Sequence, residues 1–251
     1  MNRNFIFLFV SLLFLAGCNR YSENHQAVLP SPGFDVHVYF NLFNGNPYYM
    51  VYYEGRKIIK WSLIGFSNGA GTPVKDKMML ARDIGEAGSA TGNPGETDSL
   101  FNKLKFNIRK IRLVSALDRE AGYTIELRAF EGGLAFRYCF DSQEDKSAFV
   151  AHEATQIKFD DAENSWQVNA RADSLGASAD QFSVPVEVVS DDQLSVMISE
   201  ANGYGSQMVM LPSEENPFHF SIRDEKIGTD QENGLVTPWR VILISNNVSH
   251  D

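Results

Sequence analysis

From Phe34 onward the chain alternates. In FDVHVYFNLF the residues Phe34, Val36, Val38, Phe40 and Leu42 alternate with Asp35, His37, Tyr39 and Asn41, the period of two expected of a strand with one face buried. The turn NGNP at 44–47 leads into YYMVYYE, and Glu54-Gly55 turns the chain again into RKIIKWSLIGF, so this region reads as successive hairpins. The pattern resumes with KLKFNIRKIRLVS and with YTIELRAFEGGLAFRYCF, a hairpin turning at Glu131-Gly132-Gly133. VAHEATQIKF, SVPVEVV, LSVMISEA, SQMVML and FHFSI follow, most of them separated by short polar turns. The last segment, VTPWRVILIS, reads as a buried strand entered through Pro238, with Trp239 in the core and Arg240 paired within the sandwich. Short strands with almost no helical periodicity predict an all-β fold of antiparallel sheets, in one domain over 34–251.

Two stretches depart from this rhythm. Residues 18–33, with Pro30, Pro32 and Gly33, read as a polar tether. Residues 67–100 are rich in Gly, Ser, Thr and Asp and lack a sustained period, so a flexible insertion is expected there.

The first residues carry an address. Arg3 supplies a positive n-region, Phe5 to Leu15 a short apolar run, and Leu15-Ala16-Gly17-Cys18 the small residues of a cleavage site. The run is shorter than the ~18 residues that span a bilayer, so 1–17 are expected to be a removable signal peptide. The placement of Cys18 resembles a bacterial lipobox, which implies an exported lipoprotein anchored through a lipid on Cys18. Several acyl chains on one residue hold stably where one holds only marginally.

Composition narrows the classes of partner. With Cys18 committed to lipid, Cys139 is the remaining cysteine, so no intramolecular disulfide is expected, and FRYCF suggests a small buried hydrophobe there. A net charge of −10 argues against nucleic acid and against electrostatic attraction to an anionic membrane surface. The five histidines are scattered without metal-ligand spacing, and AHEAT at 151–155 lacks the second histidine of a zinc-protease helix. No serine lies in a Gly-x-Ser-x-Gly elbow. Pairs such as Asp160-Asp161 and Asp191-Asp192 point to opposite faces of a strand and read as solvated turns. No catalytic residue is expected.

Four segments, LRAFEGGLAFRYCF (127–140), HEATQIKF (152–159), LSVMISEANGYGSQMVML (194–211) and TPWRVILIS (237–245), resemble in order and spacing the N-terminal β-domain of glycoside hydrolase family 97. The resemblance runs from about Val28 to the end, apart from 67–100. It implies a large antiparallel β-sandwich of the supersandwich kind, similar to galactose-mutarotase-type sandwiches. In that family such a domain precedes a catalytic (β/α)8 barrel in exported bacterial enzymes acting on α-glucosides or α-galactosides. The barrel would follow TPWRVILIS, and glycoside hydrolysis needs two carboxyl groups roughly 5 to 9.5 Å apart, so a chain without it is expected to be no enzyme. The resemblance also implies that Glu200, in ISEANGYGS, matches a glutamate that joins barrel glutamates around calcium. The family more often has His where this chain has Ser199.

Three readings of function stay open. The first is a lipid-anchored, non-catalytic carbohydrate-binding or accessory domain of a glycan-utilisation system. The second is a truncated or split fragment of an exported α-glucosidase or α-galactosidase whose barrel is encoded elsewhere or lost, with calcium only if a barrel-containing partner completes the site. The third is a scaffold lipoprotein that kept the fold and not the ligand. Candidate sugar-stacking residues are Trp61, Trp166 and Tyr204, with Tyr48, Tyr49, Tyr52 and Tyr53 behind them.

Overall fold

The hairpins expected at 34–63 form one antiparallel sheet. The structure is a computed structural model that describes residues 22–67, 77–91, 104–140, 152–162, 165–169, 181–201, 208–224, 229–231 and 234–246. Strands β1 (His25–Pro30), β2 (Val36–Phe43), β3 (Asn46–Tyr53) and β4 (Arg56–Leu63) lie side by side in that order. Between β2 and β3, Asn44 and Gly45 have φ of 49° and 77°; between β3 and β4, Glu54 and Gly55 have 49° and 81°. Paired positive φ values match the twist of the flanking strands, and glycine takes the second without strain.

The later strands are β5 (Phe66–Ser67), β6 (Met78–Thr91), β7 (Lys105–Ser115), β8 (Gly122–Phe130), β9 (Gly133–Phe140), β10 (His152–Glu153), β11 (Gln156–Lys158), β12 (Trp166–Asn169), β13 (Phe182–Ser183) and β14 (Val186–Ser190). They are followed by β15 (Leu194–Ala201), β16 (Met208–Pro212), β17 (His219–Asp224), β18 (Thr229–Gln231), β19 (Gly234–Val236) and β20 (Trp239–Asn246). A ten-stranded antiparallel sheet runs β12-β14-β15-β20-β9-β8-β7-β6, with β18 and β19 joining beside β9. A second four-stranded sheet, β11-β17-β16-β13, and the short pair β10-β5 complete the fold. No helix occurs among the described residues, and the all-β sandwich expectation is met.

One core joins the layers. Val38, Phe40, Tyr49 and Val51 of the first small sheet meet Ile125, Leu127, Phe136 and Ile242 of the large sheet, and Phe159, Phe220 and Ile222 continue the cluster into the second small sheet. Full burial of side chains of this size contributes about 1.5–3 kcal/mol each. A smaller cluster of Phe106, Phe130, Trp239 and Val241 lies on the opposite face of the large sheet, since these residues alternate with the core-facing ones on β7, β8 and β20. The Arg128 guanidinium sits 4.4 Å from the centre of the Phe106 ring and 4.3 Å from that of Trp239, and Arg137 lies over Trp239 at 4.3 Å. Trp239 is therefore buried as expected.

Two expectations need correction. Residues 25–30, assigned to the tether, form β1, which pairs with β2 from His25↔Leu42 to Pro30↔His37. Residues 78–91, inside the expected flexible insertion, form the long strand β6 on β7; the rest of 67–100, apart from Ser67 and Lys77, lies outside the described residues. Register shifts between Leu80 and Arg82 and between Glu86 and Ala90 explain why β6 shows no period of two.

A polar clasp holds β1 to β6 and β7. Arg109 binds Asp83 through two hydrogen bonds of 2.8 and 2.7 Å and also donates to the Val28 carbonyl, Asn107 donates to the Pro30 carbonyl, and His25 meets Asp83. Burial alone would raise the Asp83 carboxyl, but hydrogen bonds from Arg109 and His25 outweigh it and hold the group below the usual carboxylate range. A depressed folded-state value means stability that is present above the unfolded value and lost as the pH falls through the folded one. Urea midpoints should therefore drop more between about pH 5 and about pH 3 for the native chain than for Asp83→Asn. Equal pH slopes for the two proteins would contradict this role.

Candidate functional site

The β2–β3 hairpin turns its second set of side chains away from the core. Val36, Val38, Phe40 and Leu42 point inward on β2, so His37, Tyr39, Asn41 and Phe43 point outward, and across the ladder Asn41 faces Tyr48. On β4, Ile58 and Ile59 fill the core, whereas Trp61 is 41% exposed. Asn41, Phe43, Tyr48 and Trp61 together line an open depression of about 200 Å³ on the outer face of this sheet. Phe43 is 57% exposed, and farther along the same face Tyr39 and Tyr52 make an edge contact at 5.5 Å between ring centres, with Phe34 and His37 at 6.3 Å beyond them. Phe43 was not singled out in the sequence. It is the apolar residue at an outward position of β2, and that break in the alternation was the available signal.

Trp166 and Tyr49, two of the other sugar-stacking candidates, do not join this surface. Trp166 is 3% exposed, packs against Phe159 at 4.8 Å and donates its indole N–H to the Asp160 carbonyl, so it belongs to the core. Tyr49 is fully buried and donates its hydroxyl to the Gln156 carbonyl. Tyr53 packs against the core edge. Tyr204 and Cys18 lie outside the described residues. Cys139 is half-buried rather than buried; burial first, then the neighbouring Glu126 carboxylate, push its thiol up to about 11.

Glu200 occupies a different place, on the core-facing side of β15 near its end, opposite Arg240 of β20. Arg240 is 1% exposed and donates from Nη1 to Glu200 at 2.8 Å, and from Nη2 to Glu153 at 2.7 Å. Arg240 thus pairs within the sandwich, as expected. Glu153 has no exposed side-chain surface, and its Oε1 has no hydrogen-bond partner among the described residues. The burial of Tyr138 and Tyr49 beside it raises both phenols, with the Glu153 charge adding to the effect.

Calcium takes about six to eight oxygen ligands. Among the described residues no three His, Cys, Asp or Glu side chains are grouped to hold a metal, and the Glu200 carboxylate already compensates a buried cation. The described residues do not by themselves fit calcium.

Residues 29–250 match the family profile described as Glycosyl-hydrolase 97 N-terminal. Among solved structures, a glycoside hydrolase family 97 enzyme from Pseudoalteromonas sp. strain K8 in complex with panose has a TM-score of 0.64 at 17% identity, over 88% of this chain and 36% of the enzyme. A family 97 enzyme from the same strain in complex with acarbose gives 0.63 at the same identity and coverage. A β-arabinopyranosidase gives 0.61 at 16% identity, over 88% of this chain and 40% of that one. No curated protein sequence matches. At these identities the structural likeness concerns the fold, and this chain spans about a third of the length of the Pseudoalteromonas enzymes. The match takes in the N-terminal domain, and the catalytic barrel lies outside it. The profile covers nearly all of the described strands, and the chain belongs to the glycosyl-hydrolase 97 N-terminal family.

Proposed function

We propose that this chain is a non-catalytic carbohydrate-binding domain of a glycan-utilisation system, exported and anchored at a membrane through lipid on Cys18. The observation that carries the reading is the outward aromatic surface around Trp61, on a fold that lies outside the barrel where the family's chemistry resides. The ligand class is drawn from the relatives, two of which were solved in complex with panose and acarbose. Neutral α-glucans and α-galactosides suit a chain of net charge −10, which disfavours anionic polymers.

A second reading rests on Glu200. Its position at the end of β15 suits a fragment whose partner domain, carrying the barrel, supplies the remaining carboxylates for a calcium ion and displaces part of the Arg240 pairing. Native gel electrophoresis of the purified protein through gels cast with soluble starch or galactomannan separates the two. Retardation relative to a non-binding reference is the outcome expected of the binding domain. Unretarded migration in both gels, with retention only after a barrel-containing partner is added, would replace the first reading with the second.

A further inference from the structure

We infer that the outer face of β2, β3 and β4 is an extended binding track for a neutral oligosaccharide, with Trp61 at one end and the Tyr39–Tyr52 pair farther along. This deepens the carbohydrate-binding reading and rests on it. Three observations single out the face. The stretch 36–53, which forms both β2 and β3, contains no Asp, Glu, Lys or Arg, in a chain that is 22% charged. Three of the six large hydrophobic side chains that stand exposed among the described residues, Phe34, Phe43 and Trp61, belong to this face or its edge. Between the rings stand groups that donate and accept hydrogen bonds: the Asn41 amide, the Tyr48 hydroxyl and the Tyr39–Tyr52 pair.

That combination suits a pyranose, which presents a face of C–H groups inside a rim of hydroxyls. A ring lying in the depression between Trp61 and Phe43 would cover their apolar surface and leave its hydroxyls within reach of Asn41 and Tyr48. Phe43 and His37 are six residues apart on one strand, so the track is ~20 Å long, and three strands make it ~10 Å wide. That length accommodates several sugar units. A strip of these dimensions suits one extended glycan chain. The three basic residues of β4 each pair with a carboxylate, Arg56 with Asp192, Lys57 with Asp160 and Lys60 with Asp161, so β4 offers no uncompensated charge to an anionic ligand.

Trp61 is the exposed member of the three tryptophans, since Trp166 and Trp239 are buried. A sugar-induced change in intrinsic fluorescence that is lost in Trp61→Ala therefore reports on the track. Titration of the whole exported protein with maltose, maltotriose and maltohexaose should change Trp61 emission, with affinity rising along the series. Trp61→Ala should weaken maltohexaose binding at least about tenfold by calorimetry, and Tyr39→Ala should weaken maltohexaose and leave maltose unchanged. Both residues are on the surface, and unchanged thermal midpoints would show that the variants fold. Three results would overturn the proposal. Sugar binding that survives Trp61→Ala at full strength would move the site elsewhere and leave the carbohydrate-binding reading standing. The absence of binding to any neutral oligosaccharide would remove both. Concentration-dependent self-association abolished by Trp61→Ala, without sugar binding, would make the face a contact between copies of this chain.

Discussion

Replacing Arg240 with methionine is expected to lower folding stability by about 3–5 kcal/mol. The guanidinium lies between Glu153, whose side chain is fully buried, and Glu200, and it is the cation hydrogen-bonded to both. Removing it leaves carboxylates that the interior cannot solvate, and one oxygen of Glu153 already lacks a hydrogen-bond partner among the described residues. Removing the charge of Glu153 as well should recover much of the loss, because an apolar or neutral replacement of a whole buried pair is often tolerated where a half-broken pair is not. Urea unfolding of Arg240→Met, Glu153→Gln and the double variant gives the coupling energy. A loss below ~1 kcal/mol for Arg240→Met would be the behaviour of a solvent-screened surface pair and would contradict this arrangement.

Phe66→Ala should cost a similar amount, about 3–5 kcal/mol. Phe66 is 4% exposed and stands at the centre of an aromatic group, 4.6 Å from Tyr138, 5.2 Å from Tyr123 and 5.4 Å from Phe140 by ring centres. Truncation removes those edge and tilted contacts and leaves a cavity between sheets that cannot close. Phe66→Leu keeps most of the volume and should lose well under half as much. Because Phe66 pairs in register with Glu153, Phe66→Ala and Arg240→Met should not add independently. Equal unfolding midpoints for Phe66→Ala and Phe66→Leu would show that the site relaxes and carries little of the packing.

The strands were legible where one face is dry and the other wet. β2 alternates from Val36 to Leu42, and its turns carry glycine at positive φ, so sequence and structure coincide there. β6 was not legible, because a strand half made of Gly, Ala, Ser and Thr and interrupted by two register shifts has no periodic signature, and it is held by its ladder to β7. β1 was hidden by its brevity and by Pro30, and the clasp that adds to its ladder with β2 uses Asp83 and Arg109, residues far away in the chain. The site shows the same division. Trp61 was visible as an aromatic on a half-buried strand, but whether Trp166 faces solvent depends on the Asp160 carbonyl that captures its indole. The Glu153–Arg240–Glu200 arrangement joins strands separated by 87 and 40 positions, and local sequence says nothing about such closures.

If this sandwich binds sugar without cleaving it, as we propose, titrating the purified protein with maltohexaose while following heat and released reducing ends in the same sample should separate the two properties. Heat of binding with no release of reducing ends is the predicted result. Steady release of reducing ends at the rate of an enzyme, or no heat at all at millimolar sugar, would contradict it.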